Sequence, residues 1–244
     1  MTLSERLGAA GFPTEAPHPS FEAFFTPTKL QELADIRQKI STDNFFPRVD
    51  RVLRFAHTDP TALRCIIVGM DPYPSFTVDP HTGVVLPEAT GRAFEVASVQ
   101  RWEEKYRQSS LRNILKSVYY LEKGTVPTME QLRTELQDGS FPILPPHAWM
   151  DSLESQGVLF LNASLTVLPG EPGSHAALWD GFVTDLMTFL AQSSPDAPWL
   201  LWGNLARERV PAAVKNRILS THPRLPAFVT QCPFAQVGSV HWLG

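Results

Sequence analysis

The sequence predicts an α/β fold, three αβα layers around a central, four-stranded, mainly parallel sheet, and three observations carry that expectation. Short, largely apolar runs recur: "CIIVGM" from Cys65, "VLFLNASLTV" over Val158 to Val167, "WLLWG" ending at Gly203 and "RILST" ending at Thr221. Such runs are the pattern of strands covered on both faces. Helical periodicity fills the intervals between them, the arrangement of parallel strands joined by crossover helices. Finally, 244 residues, 43% of them hydrophobic, suffice for one large core. The chain therefore reads as a single domain, 1–244, with a helical N-terminal extension, 1–45, packed on it.

Taken in order, Thr26 and Pro27 read as an N-cap and first helical position, followed by Leu30, Leu33, Ile36 and Ile40 on one face. A second short helix is expected through Val49, Val52, Leu53 and Ala56. The segment from Pro74 to Gly91 has no period and reads as an irregular loop, a class that usually carries function at this length. Ser110 is expected to cap a helix bearing Leu111, Ile114, Leu115 and Val118. A short helix follows between turn-rich ends, and another near Trp149 and Leu153 stops at Gly157. Leu178, Phe182, Val183, Leu186, Phe189 and Leu190 mark the next, and Asn204 is expected to cap the helix after the third strand.

Composition narrows the function. A formal net charge of −4 argues against indiscriminate binding to polyanions. Two cysteines, Cys65 and Cys232, make no disulfide framework and suit a reducing, cytoplasmic home. No stretch approaches the ~20 apolar residues of a membrane span. Neither GxGxxG nor GxxxxGK[ST] follows a strand, no GxSxG elbow is present, and the seven histidines show no metal-ligand spacing. No cofactor or metal is expected.

In open parallel sheets the site lies beyond the carboxyl ends of the strands. There the sequence places Asp71-Pro72-Tyr73, Asn162, Gly203-Asn204 and His222-Pro223. Taken alone, Asp71 could be a turn residue, Asn162 a strand-end turn, His222 a surface histidine and Phe94 core. Unpartnered, the Asn162 amide inside an apolar strand would cost at least ~1 to 3 kcal/mol, so it is expected to have partners.

These residues carry a resemblance. Gly69-Met70-Asp71-Pro72-Tyr73-Pro74 is similar to the G-Q-D-P-Y-H motif of the uracil-DNA glycosylases of uracil-N-glycosylase type, and Leu159 to Val167 resembles their L-L-L-N-x-x-L-T-V strand. His222-Pro223 matches the start of their H-P-S-P-L motif. "GRAFEV", "SLRNILK", "SHAALWDGF" and "LLWGNLA" resemble further family segments in the family's order, and the likeness covers roughly residues 46 to 235. It implies hydrolysis of the N-glycosidic bond of uracil in DNA, the opening step of base excision repair, on a nucleotide flipped out of the helix. Asp71 would stabilise the sugar cation and orient water, and His222, as a neutral imidazole, would donate to uracil O2. Asn162 would face the N3-H and O4 edge, Phe94 would stack on the base, Tyr73 would exclude the thymine methyl, and Met70 would keep the substrate contacts of its backbone N–H. Pro74, Gly203, Asn204, Pro223, Arg224 and Leu225 would meet the DNA.

The chain also departs from the pattern. Met70 replaces the family glutamine, Pro74 a histidine, "RLPAF" follows His222-Pro223, and the loop from Ser75 to Thr90 is longer than the family's. A same-fold glycosylase with altered base or single-strand preference, or a non-catalytic nucleic-acid-binding relative, therefore stays open. The expected partner is uracil-containing DNA, single- or double-stranded, acted on by a monomer, with an inhibitor protein left open as a second partner.

Overall fold

Residues 1–40, 43–78 and 82–244 are described by the computed structural model. The four apolar runs form β1 (Cys65–Gly69), β4 (Val158–Asn162), β5 (Trp199–Trp202) and β6 (Arg217–Ser220), all parallel, in the order β4-β1-β5-β6. Strand periodicity decides what each face meets. Ile66, Val68, Leu159, Leu161, Trp199 and Leu201 enter one core layer, and Cys65, Ile67, Val158, Phe160, Leu200 and Trp202 the other. The expectation of strands covered on both faces holds for β1, β4 and β5; β6, at the sheet edge, leaves Leu219 about half exposed.

Helices cover both faces. α2 (Pro27–Ile40) begins as expected, with Lys29 N–H donating to Thr26 Oγ1 at 3.3 Å, and buries Leu33, Ile36 and Ile40. α6 (Ala176–Ser193) buries Trp179, Phe182, Val183 and Leu186 in the same layer. α3 (Ser109–Lys123) and α5 (Pro146–Ser155) cover the other layer, and α4 (Met129–Gln137) lies between them in sequence. Leu3, Leu7, Phe12, Phe21, Phe24 and Phe25 from the first 45 residues join the α6 layer, with Phe12 and Trp179 ring centroids 5.5 Å apart. No helix among the described residues is long and apolar enough to cross a membrane.

Several elements differ from expectation. The helix expected over Val49 to Ala56 is two 3₁₀ turns, Val49–Arg51 and Arg54–His57, because Leu53 at φ −99°, ψ 32° interrupts the helical run. The 74–91 segment is not wholly irregular: Phe76–Val78 (β2) and Val85–Pro87 (β3) pair antiparallel, as β-branched residues on either side of Gly83 favour. Positions 79–81, including His81, lie outside the described residues. Ser110 is not a cap, since α3 starts one residue earlier with Gln108 in the cap position. Two short helices went unanticipated, α1 (Leu3–Ala9) and α8 (Ala227–Gln231). The first carried a legible signal: Thr2 and Glu5 form a reciprocal capping box.

Candidate active site

β1 connects outward to β4 on one side and β5 to β6 on the other, so the switch point of the sheet lies between β1 and β5. A cavity of about 740 Å³ opens there, within the size range of small-ligand sites. The turn after β1 supplies Met70, Asp71, Tyr73 and Pro74 to its wall, and β4 supplies Asn162. α7 (Asn204–Arg209) and the residue before it add Gly203 and Asn204, and the turn after β6 adds His222, Arg224 and Leu225. Phe94 closes another side. Pro223 is the exception among the candidates: its ring is buried and outside the cavity wall, and its carbonyl accepts from Asn113 Nδ2 at 2.6 Å. It anchors the turn to α3 and offers DNA no surface.

Asn162 ends β4 opposite Gly69 in the parallel register and is 4% exposed. No group among the described residues hydrogen-bonds its amide, so the partners it is expected to have must come from the cavity it lines. The cost of burying it is offset only when something in the cavity offers a donor and an acceptor together. Gly69 makes room for it, since a Cβ there would stand 2.5 Å from Asn162 Oδ1.

Asp71 is half-buried, and burial raises its pKa above 3.8 while the Gly173 backbone N–H pulls it back. The Gly173 loop is itself fixed. Trp179 Nε1 donates to Thr166 Oγ1 at 2.7 Å, and that hydroxyl also shares a hydrogen bond with His175 Nδ1 at 2.8 Å. Gly170 N–H donates to Pro74 O at 2.8 Å, tying that loop to the Asp71 turn. Tyr73 packs between two core clusters, and its phenol is pushed up to about 12 by burial and by Glu88. It is a neutral wall.

His222 sits in a turn closed by Leu225 N–H donating to His222 O at 2.9 Å. Arg224 N–H donates to His222 Nδ1 at 3.1 Å, so Nδ1 is an acceptor and the neutral ring carries its proton on Nε2. Burial and then the Arg224 charge lower its pKa below 6.5, toward the same neutral form. Gly203, and not Asn204, caps α7. It holds φ +94°, and a Cβ there would lie 3.1 Å from His222 Cβ. Gly203→Ala is therefore expected to lower kcat about tenfold or more by straining the cap and displacing the imidazole, with the fold retained by circular dichroism.

Phe94 holds φ +63°, rare for a bulky residue, and packs its ring 5.0 Å from Trp202 and 6.3 Å from His222. A buried ionic network braces this conformation. Arg92, 5% exposed, pairs with Glu95 at 3.1 Å, with Asp151 at 2.6 Å and with Glu154. Glu95 also accepts from His147 Nδ1 at 3.0 Å and from Thr90. Burial alone would raise the Glu95 carboxyl, but His147, Arg92 and Thr90 together bring it down to about 2. Arg92 and Glu95 thus anchor both flanks of Phe94.

Several contributors escaped the sequence reading, among them Arg207, which also lines the cavity. Trp202 read as strand core, yet it backs Phe94 at the cavity wall. Ser110 lines the cavity from the first turn of α3, and Leu205, 63% exposed, stands on the rim. Gly173 reaches Asp71 from a loop with no periodic signal. Only the "SHAALWDGF" stretch, whose His175 and Trp179 hold that loop, could have pointed to it.

Fold and site define a three-layer α/β protein with a small-ligand hollow at its strand ends, walled by a carboxylate, an unpartnered amide, a neutral imidazole and an aromatic ring. No family model matches the chain. It is 31% identical over 205 residues to the uracil-DNA glycosylase of Equine herpesvirus 2, covering 82% of this chain and 68% of that protein. It is 31% identical over 199 residues to the uracil-DNA glycosylase of Oleidesulfovibrio alaskensis, covering 80% and 73%. Among solved structures, the Nitratifractor salsuginis UNG superposes with a TM-score of 0.71 at 21% identity over 97% of this chain and 95% of that one. The mimivirus uracil-DNA glycosylase gives 0.59 at 23% identity, covering 84% and 68%. The chain belongs to the uracil-DNA glycosylase family.

Proposed function

We propose that the protein is a monofunctional uracil-DNA glycosylase, hydrolysing the N-glycosidic bond of a uracil nucleotide flipped into the cavity. The observation that carries this reading is the Asn162 amide, buried at the cavity wall with no protein partner, beside Asp71 and a neutral His222. Uracil offers N3-H beside O4, a donor and an acceptor that one amide can satisfy together. Bond breaking puts positive charge on the sugar and negative charge on the departing base. Asp71 stabilises the first and orients water; His222 Nε2–H stabilises the second through O2. Phe94 stacks on the base, Tyr73 bars a C5-methyl, and Met70 contributes its backbone N–H. Pro74, Gly203, Asn204, Arg224 and Leu225 lie at the mouth for the strand, Leu225 being 45% exposed as a wedge into the vacated stack.

The working unit in this proposal is a monomer in a reducing compartment, which suits two free, buried cysteines. An inhibitor protein covering the mouth belongs to the same proposal, since a mimivirus UNG variant was solved in complex with UGI.

The test is release of uracil from oligonucleotides carrying one uracil, single-stranded or opposite A or G, read as alkali-sensitive cleavage. Activity unchanged by EDTA is expected; no abasic product on any substrate would overturn the reading. Its pH dependence follows from the two ionisations. Ionised Asp71 and neutral His222 are the working forms, the first moved up from 3.8 and the second down from 6.5. The rate should climb with pH as each group reaches its working form, then stay level through neutrality. A fall on passing from pH 5 to 7 would instead call for a charged imidazole.

A further inference from the structure

Among the described residues three non-glycine residues hold a positive φ, and of these Phe94 alone lines the cavity. Such a conformation persists only where the surrounding structure over-determines it. The backbone on either side is tied down. Ala93 N–H donates to Phe160 O at 3.3 Å, and Phe160 lies on β4 with Asn162, so the ring and the amide are set from one strand. Beyond the ring, Ala97 N–H donates to Glu88 O and Ser98 N–H to Glu88 Oε2, each at 3.0 Å, which closes the loop at its base. Before it, a Cβ on Gly91 would stand 2.3 Å from Arg51 O, so the chain is pressed against that turn.

α5 supplies the side-chain contacts. His147, Asp151 and Glu154 recur at helical spacing and share one face of it. That face meets Glu95 through His147 Nδ1 at 3.0 Å, and Arg92 through Asp151 at 2.6 Å and through Glu154. Gln100 Nε2 lies 3.2 Å from His147 Nε2 and donates to Ala97 O at 2.8 Å, so the grip extends past the ring. An ion pair as buried as Arg92–Glu95 adds little net stability over an apolar pair of the same volume. What a directional network adds is a single conformation. A ring held in one pose ahead of its ligand has no freedom left to lose on binding.

We propose that Arg92, Glu95 and His147 are positioning residues for base recognition, holding the Phe94 ring in its stacking pose ahead of the nucleotide and so setting the affinity for uracil; this rests on the glycosylase reading above. None of the three lines the cavity, so their whole effect on the base passes through Phe94. Stacking is made in the bound state and kept in the transition state, and its loss therefore falls on KM and not on kcat.

A double-mutant cycle tests it. His147→Ala touches the most exposed member, whose side chain is 33% accessible, and leaves the core intact. Glu95→Gln keeps the shape and loses the charge, while Arg92→Lys keeps the charge and loses the planar fork that reaches three carboxylates. Each is made in the wild type and in Phe94→Ala, and each is measured for KM and kcat on an oligonucleotide carrying one uracil and for the Kd of free uracil by calorimetry. In the wild-type background every variant should raise KM and the uracil Kd by about threefold to tenfold, with kcat changed by less than about twofold; in Phe94→Ala none should raise either further. An unchanged uracil Kd in all three, or a loss as large without the Phe94 ring as with it, would overturn the proposal, the latter by showing that the network only supports the fold. A wild type that binds uracil but releases none from DNA defeats the glycosylase reading alone, and the cycle on Kd still tests the three residues. A wild type that neither binds nor releases uracil overturns both.

Discussion

Asp71→Asn is expected to lower kcat on uracil-containing DNA by about 10² or more, and His222→Ala to do the same, each with the fold intact. Asparagine keeps the volume of the carboxylate and can still accept from the Gly173 N–H, so what is lost is the negative charge beside the sugar. That charge acts only as the cation develops, so the loss should fall on kcat with KM little moved. His222→Ala removes the Nε2–H donor and also strips the Arg224 N–H of its acceptor. The conservative partner variant His222→Gln, which retains an N–H donor, should recover part of the lost rate. Near-normal turnover in Asp71→Asn or His222→Ala, measured in single-turnover assays, would remove that residue from its role.

The second large effect is on stability. Arg92→Leu should destabilise the protein by about 3–5 kcal/mol, because it leaves buried Glu95 facing a hydrophobic side chain and leaves Asp151 and Glu154 only their longer pairs with Arg54. For a chain of this size that corresponds to a fall in Tm of roughly 6–20 °C. The double variant Arg92→Leu, Glu95→Ser, which takes the residue types of the resembling family segment, should recover much of the loss, since it also removes the buried carboxylate whose arginine is gone. The network sets a pH dependence as well. Glu95 is held at about 2, below its ordinary 4.5, so its contribution is complete above 4.5 and lost as pH falls toward 2. His147 is raised above 6.5, chiefly by its bond to Glu95; its contribution is complete below 6.5 and lost as pH rises through its folded value. Thermal melts across pH 2 to 9 check both limbs. A flat profile together with an unchanged Tm in Arg92→Leu would show that the network bears no load.

The residues explain which features the sequence disclosed. β1, β4 and β5 were legible because burial on both faces leaves no room for charge, and that same rule made Asp71, Asn162 and His222 conspicuous at the strand ends. α2, α3 and α6 were legible from their apolar stripes. The 3₁₀ turns between Val49 and His57 were not, because a few apolar residues at helical spacing look alike in either geometry. The hairpin was hidden by its prolines and by exposed valines that follow no buried pattern. Pro223 was misplaced because proximity to His222 in sequence does not say which side of a turn faces solvent. Gly173 and Trp202 reach the site through tertiary packing alone. Arg92 and Glu95 look like surface charges until α5 brings Asp151, Glu154 and His147 against them.

The most direct measurement is a crystal structure of the protein soaked with uracil. Uracil should occupy the cavity flat against Phe94, with O2 about 2.7–3.2 Å from His222 Nε2 and the N3-H and O4 edge paired to the Asn162 amide. Uracil bound away from these three groups, or an imidazole whose Nε2 points out of the hollow, would contradict the account.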